Sequence, residues 1–307
     1  MTTNIYLIAD FIVAVRLPDG CDADILLPSF RPFRCERAWK EDDLLLDFTV
    51  DESGESFSKE LDGKTLLEED LSDMGLVALY TAGSGYFVTV SSVSGRFTHG
   101  MLADRPFGVV KAFIDWTDRD AGSKLSSLIR IAYSLAVLRR GAVAIHASVV
   151  CCDGRAFLFM GKSGTGKSTH AALWMEYIPG CELLNDDNPT VRVCRDTAIA
   201  YGTPWSGKTS CYKQLSFPIG GMVRLSQAPA NRFHRKDGIG AFIALYPGCS
   251  VINQDKDMRD HLHDTLARLA GLVRVGTLEC LPDKGAVLLC HRELACQDKS
   301  WTSSADL

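Results

Sequence analysis

The segment FLFMGKSGTGKST, residues 157–169, contains the residue types and the spacing that point most directly to chemistry. Its three glycines, Gly161, Gly164 and Gly166, leave the backbone free to take positive φ angles because they lack a Cβ. A backbone that curls in this way turns its N–H groups inward, and with the start of a following helix it makes a concave anion site. The segment therefore predicts a phosphate-binding loop.

The last residues of this segment predict what the loop binds. Lys167 can reach the β- and γ-phosphates of a nucleotide, which gives it a catalytic role, and the Ser168 hydroxyl can bind the Mg²⁺ that accompanies them. ATP and Mg²⁺ are therefore the expected cofactors. The expected nucleotide-binding residues are Gly161, Lys162, Ser163, Gly164, Thr165, Gly166, Lys167, Ser168 and Thr169.

The sequence on either side of the loop fits this interpretation. Ala156–Met160 is a short apolar run typical of a buried strand, and Thr169–Ile178 has apolar residues at helical spacing. Strand, Gly-rich loop and helix in this order are the context that a phosphate-binding loop requires. The alternative is a Gly-rich turn with an incidental lysine.

Two adjacent carboxylates follow the next apolar run. Asp186 and Asp187 come after Leu183 and Leu184, and Pro189 ends regular structure behind them. One carboxylate at such a strand end can hold Mg²⁺ while the other accepts a proton from an attacking hydroxyl. The alternative is an Asp-Asp turn on the surface.

A histidine lies in the apolar run before the loop. Ala142–Val150 predicts one buried strand with His146 in its middle, where a lone histidine is more often structural than functional. Asp153-Gly154 predicts a tight turn into the strand that precedes the loop. The two strands would then pair antiparallel, so we expect a mixed sheet in an α/β protein of the α+β type.

Further candidates follow the carboxylates. Tyr201–Lys208 is rich in Gly and Pro and predicts a loop that closes over phosphates or substrate, with Lys208 as a candidate contact. Arginines after a Gly220-Gly221 break could stabilise the charge of a transferring phosphoryl group. The cationic and amide side chains in that region are Arg224, Asn231, Arg232 and Arg235, of which Arg232 is the candidate contact.

Composition excludes several classes of protein. The 307 residues carry a formal net charge of −5, so no basic field favours nucleic acid or a membrane surface. The N-terminus lacks the features of a signal peptide, and no apolar run has the length of a membrane span. Eleven cysteines without regular spacing predict reduced thiols and a cytoplasmic location.

The chain divides into a β-rich N-terminal region and a catalytic domain. Residues 1–118 predict strands and turns of unknown role, including an acidic stretch over 41–73. Residues 119–300 form the predicted phosphate-loop domain, and 301–307 a tail. Within the domain we expect a helix over Lys124–Leu138 with Ser123 as N-cap, a helix over Lys256–Gly271, and closing strands at Val273–Cys280 and Ala286–Leu289.

The order of these motifs resembles the catalytic domain of HPr kinases, in the superfamily of HPr kinases and phosphoenolpyruvate carboxykinases. The resemblance rests on His146-Ala147-Ser148, Asp153-Gly154, the loop and Asp186-Asp187, and it covers residues 141–290. It implies that Asp186 is the base, that His146 orients Asp186, and that Asp187 binds Mg²⁺ with Ser168. It also implies a mixed sheet and a homo-oligomer.

Two functions from different classes remain open. The first is a kinase that transfers the γ-phosphoryl group of ATP to a serine-type hydroxyl of a protein, a peptide or a small molecule. The second is a regulatory module that binds nucleotide without transfer, favoured by Thr169, which stands where HPr kinases carry a glutamate. A transporter-type ATPase is disfavoured because no Leu-Ser-Gly-Gly-Gln-like signature is present.

Overall fold

The computed structural model describes residues 1–51, 64–72, 75–92 and 94–295. The chain forms two compact units, Met1–Arg140 with Ile252–Lys256, and Gly141–Val251 with the chain from Asp257 onward. The predicted tail and residues 52–63 and 73 of the acidic stretch 41–73 lie outside the described residues. In the part of the chain that is described, no helix has the length and apolar character needed to span a membrane.

The first unit is built on a mixed sheet, which confirms the β-rich N-terminal region. Its described strands are β1 (Thr2–Ile8), β2 (Phe11–Leu17), β3 (Leu44–Val50), β4 (Thr65–Ser72), β5 (Gly75–Ala82), β6 (Gly85–Ser91), β7 (Thr98–Ala103) and β8 (Val109–Phe113), in the order β1-β2-β3-β8-β7-β6-β5-β4. Strand β3 is parallel to β2 and β8, and the other pairs are antiparallel.

Helices cover part of this sheet. They are α1 (Ala23–Leu26), α2 (Ala121–Ala136) and the 3₁₀ turns Pro28–Phe33, Glu41–Asp43 and Val137–Arg140. Helix α2 begins at Ala121, after Asp120, rather than after the predicted N-cap Ser123. It packs on β3 and β7, so it belongs to the first unit, and the N-terminal segment of that unit ends at Arg140 rather than near residue 118.

The second unit is also built on a mixed sheet with helices. Its described elements are β9 (Ala142–Ala144), β10 (Ala147–Cys152), β11 (Arg155–Met160), α3 (Lys167–Tyr177), β12 (Glu182–Asp187), β13 (Thr190–Val193), β14 (Ala198–Tyr201), β15 (Ser216–Gln227), β16 (Arg232–Lys236), α4 (Gly238–Leu245), α5 (Lys256–Leu272), β17 (Val275–Cys280) and α6 (Lys284–Ala295), with a 3₁₀ turn at Tyr246–Gly248.

The strand order in this sheet is β12-β10-β11-β15-β14-β13-β9, with β17 beside β15 and β16 beside β17. Strand β15 is parallel to β11 and β17. The hairpin of β10 and β11 is antiparallel, as Asp153-Gly154 predicted. Both turn residues have positive φ, 48° and 72°, the combination that a type I′ turn requires. The predicted mixed α/β fold is therefore confirmed.

Helix α3 packs on one face of this sheet and defines its core. Trp174 is fully buried there against Phe157 and Phe159, with ring centroids 5.0 and 5.1 Å away. Val223 and Leu225 of β15 belong to the same cluster. Because side chains alternate along a strand, the residues between these point to the opposite face. This alternation decides which functional side chains share a face.

Three further local predictions were wrong. Ala286–Leu289 lies in helix α6, whose apolar positions Ala286, Val287, Cys290 and Leu294 are buried at helical spacing. A four-residue apolar run cannot distinguish helix from strand. Gly220 and Gly221 lie inside continuous β15, where a Cβ would meet the Phe157 ring at 2.6 Å and Leu294 at 2.8 Å. These glycines therefore permit close packing rather than breaking the strand.

The third wrong prediction is the single strand over Ala142–Val150. It is interrupted at Ile145 and His146, and its two parts pair with different strands. The His146 N–H donates to the Gly248 carbonyl at 2.8 Å. His146 thus lies at a break in the sheet, where its side chain is half exposed rather than buried in a strand.

Candidate functional site

Strand register brings the predicted motifs to one edge of the second sheet. Ala147 pairs with Met160 on one side and with Asp187 on the other. The start of β10, the end of β11 and the end of β12 therefore lie together. Gly161 follows Met160, so the predicted phosphate-binding loop leaves the sheet beside His146 and the two aspartates.

The loop has the backbone that its glycines predicted. Gly164 and Gly166 have φ of 78° and 102°, in the left-handed region. A Cβ on Gly161 would lie 3.1 Å from the side chain of Thr165, and the Thr165 hydroxyl donates to the Lys162 carbonyl at 2.5 Å. A side chain at these positions would thus strain the backbone or displace Thr165.

Lys167 is the first residue of α3 and is buried inside the loop. Its Nζ donates to the carbonyls of Gly161 and Lys162, at 3.1 and 3.3 Å. Burial lowers its pKa, while the negative charges of Asp187 and Asp186 oppose that shift. The ammonium group is therefore close to both the loop backbone and the carboxylates.

The exposed residues of the loop surround this lysine. Ser168 and Thr169 lie in the first turn of α3, and Lys162, Ser163 and Gly164 are exposed on the loop itself. The first N–H groups of a helix have no partner inside the helix, so the start of α3 presents free donors beside the Lys167 ammonium. This combination suits an anion.

Asp186 is buried on the face of the sheet that α3 covers. Its exposed fraction is 5%, and Ser148 donates a hydroxyl hydrogen to its Oδ1 at 2.6 Å. Ser148 pairs with Phe159, which packs on α3, so Asp186 faces the same helix. Among the described residues, the buried Oδ2 of Asp186 has no hydrogen-bond partner. An orphaned carboxylate oxygen of this kind suits a cation.

Asp187 points to the opposite face and is paired with His146. The distance from His146 Nδ1 to Asp187 Oδ1 is 3.0 Å, and both side chains are partly exposed. The resemblance implied that His146 lies beside Asp186, and this pairing is corrected by the structure. The physical reason is strand alternation, because successive residues of β12 cannot face the same way.

One residue that organises the site was missed in the sequence. Asn185 is fully buried and accepts the N–H groups of Asp187 and Asn188 at 3.0 and 2.9 Å. Its amide donates to Thr203 Oγ1 at 3.2 Å and to the Trp205 carbonyl at 3.0 Å. It therefore fixes the aspartates to the Gly/Pro-rich loop. An amide between two leucines and two aspartates is the signal that could have revealed it.

The other predicted contacts lie farther out. The Gly207 N–H donates to the Asp186 carbonyl at 3.1 Å, and exposed Lys208 follows Gly207 in the chain, so the backbone at Lys208 lies near the aspartates. Arg232 is exposed on β16, opposite Glu279 of β17. It lies at the same edge of the sheet but three strand spacings from β11, about 14 Å. Lys208 therefore follows a residue that contacts Asp186, whereas Arg232 is separated from the loop by two strands.

The residues present fit a magnesium ion held together with phosphates. Mg²⁺ in such sites uses one or two carboxylates, a hydroxyl and substrate oxygens rather than a cage of protein ligands. Within the described residues no group of three or more His, Cys, Asp or Glu forms such a cage. Asp186 Oδ2, which has no hydrogen-bond partner among the described residues, and the Ser168 hydroxyl are oxygen donors of the kind that such a site uses.

Several solved structures are similar to this chain. The solved structure of the Hpr(Ser) kinase/phosphatase from Coxiella burnetii is similar over 48% of this chain and 90% of that chain, with 12% sequence identity and a TM-score of 0.28. No family model matches the chain, and no curated protein does either.

Proposed function

We propose that this protein is an ATP-dependent kinase that transfers the γ-phosphoryl group to a serine-type hydroxyl of a protein, a peptide or a small molecule. The observation that carries the proposal is the meeting of a phosphate-binding loop and two carboxylates of different environment at one sheet edge. The reduced cysteines support a cytoplasmic location, since the ten cysteines that the structure describes are free thiols.

Nucleotide binding falls to the loop and the start of α3. Lys167 exchanges its bonds with the Gly161 and Lys162 carbonyls for bonds with the β- and γ-phosphate oxygens, which are stronger acceptors because they are charged. The loop N–H groups and Ser168 hold the remaining oxygens. Mg²⁺ would be held by the Ser168 hydroxyl and Asp186 Oδ2, and it would neutralise charge on the phosphates.

The two aspartates divide the remaining work according to their surroundings. Asp187 is partly exposed and is held by His146, so it is the better placed proton acceptor for an incoming hydroxyl. Asp186 is buried, with one oxygen bonded to Ser148 and the other without a hydrogen-bond partner among the described residues, which suits a metal ligand better than a base. These roles are the reverse of those that the resemblance implied.

Transfer of labelled γ-phosphate tests this proposal. Wild type, Asp187→Asn and Asp186→Asn are incubated with Mg²⁺, γ-labelled ATP and a panel of protein, peptide and free-serine acceptors. We expect Asp187→Asn to retain MgATP binding and lose transfer by at least about 10²-fold. Asp186→Asn should weaken MgATP binding while metal-free ATP binds as in wild type. Equal transfer by wild type and Asp187→Asn would show that Asp187 is not the base.

The second candidate is a nucleotide-binding module without transfer. It is favoured by Thr169, which takes the place of the glutamate of HPr kinases and is exposed at the start of α3. Calorimetry with MgATP separates the two functions when it is combined with the transfer assay. Tight binding by wild type without transfer to any acceptor in the panel would support the module over the kinase.

A further inference from the structure

Arg224 lies next to the loop in the sheet. It pairs with Met160, the last residue before the loop, in the parallel ladder of β11 and β15. Its neighbours Val223 and Leu225 pack in the α3 core, so Arg224 points to the opposite face. Asp187 and His146 lie on that same face, on the far side of β11.

The guanidinium of Arg224 is fixed but incompletely satisfied. Its Nε donates to the Ala244 carbonyl of α4 at 2.5 Å. Its buried Nη2 has no hydrogen-bond partner in the part of the chain that the structure describes. A Cβ on Gly248 would lie 3.8 Å from that nitrogen, so Gly248 is one of its neighbours. A buried orphan donor on a charged side chain is costly unless another group satisfies it.

The electrostatic surroundings point to an anion. No ion pair in the described chain involves Arg224, and burial lowers its pKa. Its positive charge also lowers the pKa of Lys167, so the two cations lie close enough to repel each other. An anion that binds between Arg224 and Lys167 would offset this repulsion and stabilise both charges.

The position of Arg224 indicates that this anion is a phosphoryl group of the nucleotide rather than a group of the acceptor molecule. Arg224 is one strand spacing from Met160, about 5 Å, whereas Asp187 is two spacings away on the other side, about 10 Å. A phosphoryl group held by the loop thus lies between Arg224 and the proposed base. The other arginines fit less well, because Arg235 is paired with Glu293 at 3.1 Å and Arg232 lies farther out.

We propose that Arg224 is a catalytic residue that binds the γ-phosphoryl oxygens of ATP through its unpartnered guanidinium face. The inference rests on the proposed function. Bound this way, the planar guanidinium donates to two oxygens of one phosphoryl group and stabilises the charge that it carries during transfer. ADP lacks the γ-phosphoryl group, so Arg224 should distinguish ATP from ADP.

Calorimetry with ADP and with a non-hydrolysable β,γ-imido analogue of ATP, both with Mg²⁺, tests this selectivity. We expect Arg224→Gln to weaken binding of the analogue by about 10- to 100-fold, the effect of losing hydrogen bonds to a charged group, and to change ADP binding by less than about threefold. Arg224→Lys should lose part of the affinity for the analogue. The control Arg195→Gln, an exposed arginine in the turn between β13 and β14, should bind both ligands as wild type does.

The possible failures are distinguishable. An equal loss for ADP and the analogue, or no loss for either, overturns the role of Arg224 and leaves the kinase proposal standing. A wild-type protein that binds neither ligand overturns both. Circular dichroism reports whether Arg224→Gln is folded. If it is not, the comparison of Arg224→Lys with wild type decides, and unchanged selectivity in that variant overturns the inference.

Discussion

Replacing Asn185 with alanine should destabilise the second unit strongly, because one side chain satisfies several buried groups. The side chain accepts two N–H groups, from Asp187 and Asn188, and donates to Thr203 Oγ1 and the Trp205 carbonyl. A buried hydrogen bond contributes about 1 kcal/mol net, so four bonds amount to about 4 kcal/mol. That is a large share of the stability of a typical domain, about 5–15 kcal/mol.

Urea unfolding followed by tryptophan fluorescence measures this loss, with Trp205 next to the substituted position. Asn4→Ala is a matched control, because Asn4 is in the first unit and makes a single long bond, 3.5 Å to the Val15 carbonyl. We expect that control to stay within about 0.5 kcal/mol of wild type. Hydrogen exchange at the Asp187 and Asn188 amides should accelerate in Asn185→Ala. A loss below about 1 kcal/mol with unchanged exchange would refute the reasoning.

Two further predictions concern other parts of the fold. Hydrogen bonds from the Asp120 N–H and from His99, opposed by burial, lower the pKa of Asp118. The stability that Asp118 contributes is therefore present above the ordinary pKa of an aspartate and is lost as the pH falls through the lower pKa of the folded protein. In Asp118→Asn the free energy of unfolding should fall less steeply below about pH 4 than in wild type. Gly276→Ala should lower the free energy of unfolding by about 1–3 kcal/mol, because the added Cβ would lie 2.2 Å from the Phe233 ring. Gly271→Ala should raise it by about 0.5 kcal/mol, because Gly271 is in a helix and its Cβ would meet open space. Thermal unfolding of both variants measures the contrast.

The features that could be predicted from sequence follow local rules. The turn at Asp153-Gly154 and the positive φ of Gly164 and Gly166 depend on the absence of a Cβ and on a few neighbouring residues. The antiparallel hairpin follows from the turn, and a mixed sheet follows from the hairpin. The strand, loop and helix around residues 157–169 are visible for the same reason.

The features that escaped sequence analysis depend on register between distant strands. Asp186 and Asp187 are equivalent in the sequence, and only the alternation of β12 beside β10 assigns one to Ser148 and the other to His146. The sequence does not distinguish Arg224 from the later arginines as a phosphate contact, because only the pairing of β15 with β11 places Arg224 beside the loop. Propensity carries no information on such long-range pairing.

The hairpin that carries the loop also has a far end. Asp153 and Gly154 are exposed there, and Asp153 is six residues along the strand from Ala147, or about 20 Å. An exposed tight turn at that distance is the kind of position where proteins accept inserted sequence. A small fluorescent or affinity tag built into this turn would leave the nucleotide edge open and would move rigidly with the strand that leads into the loop.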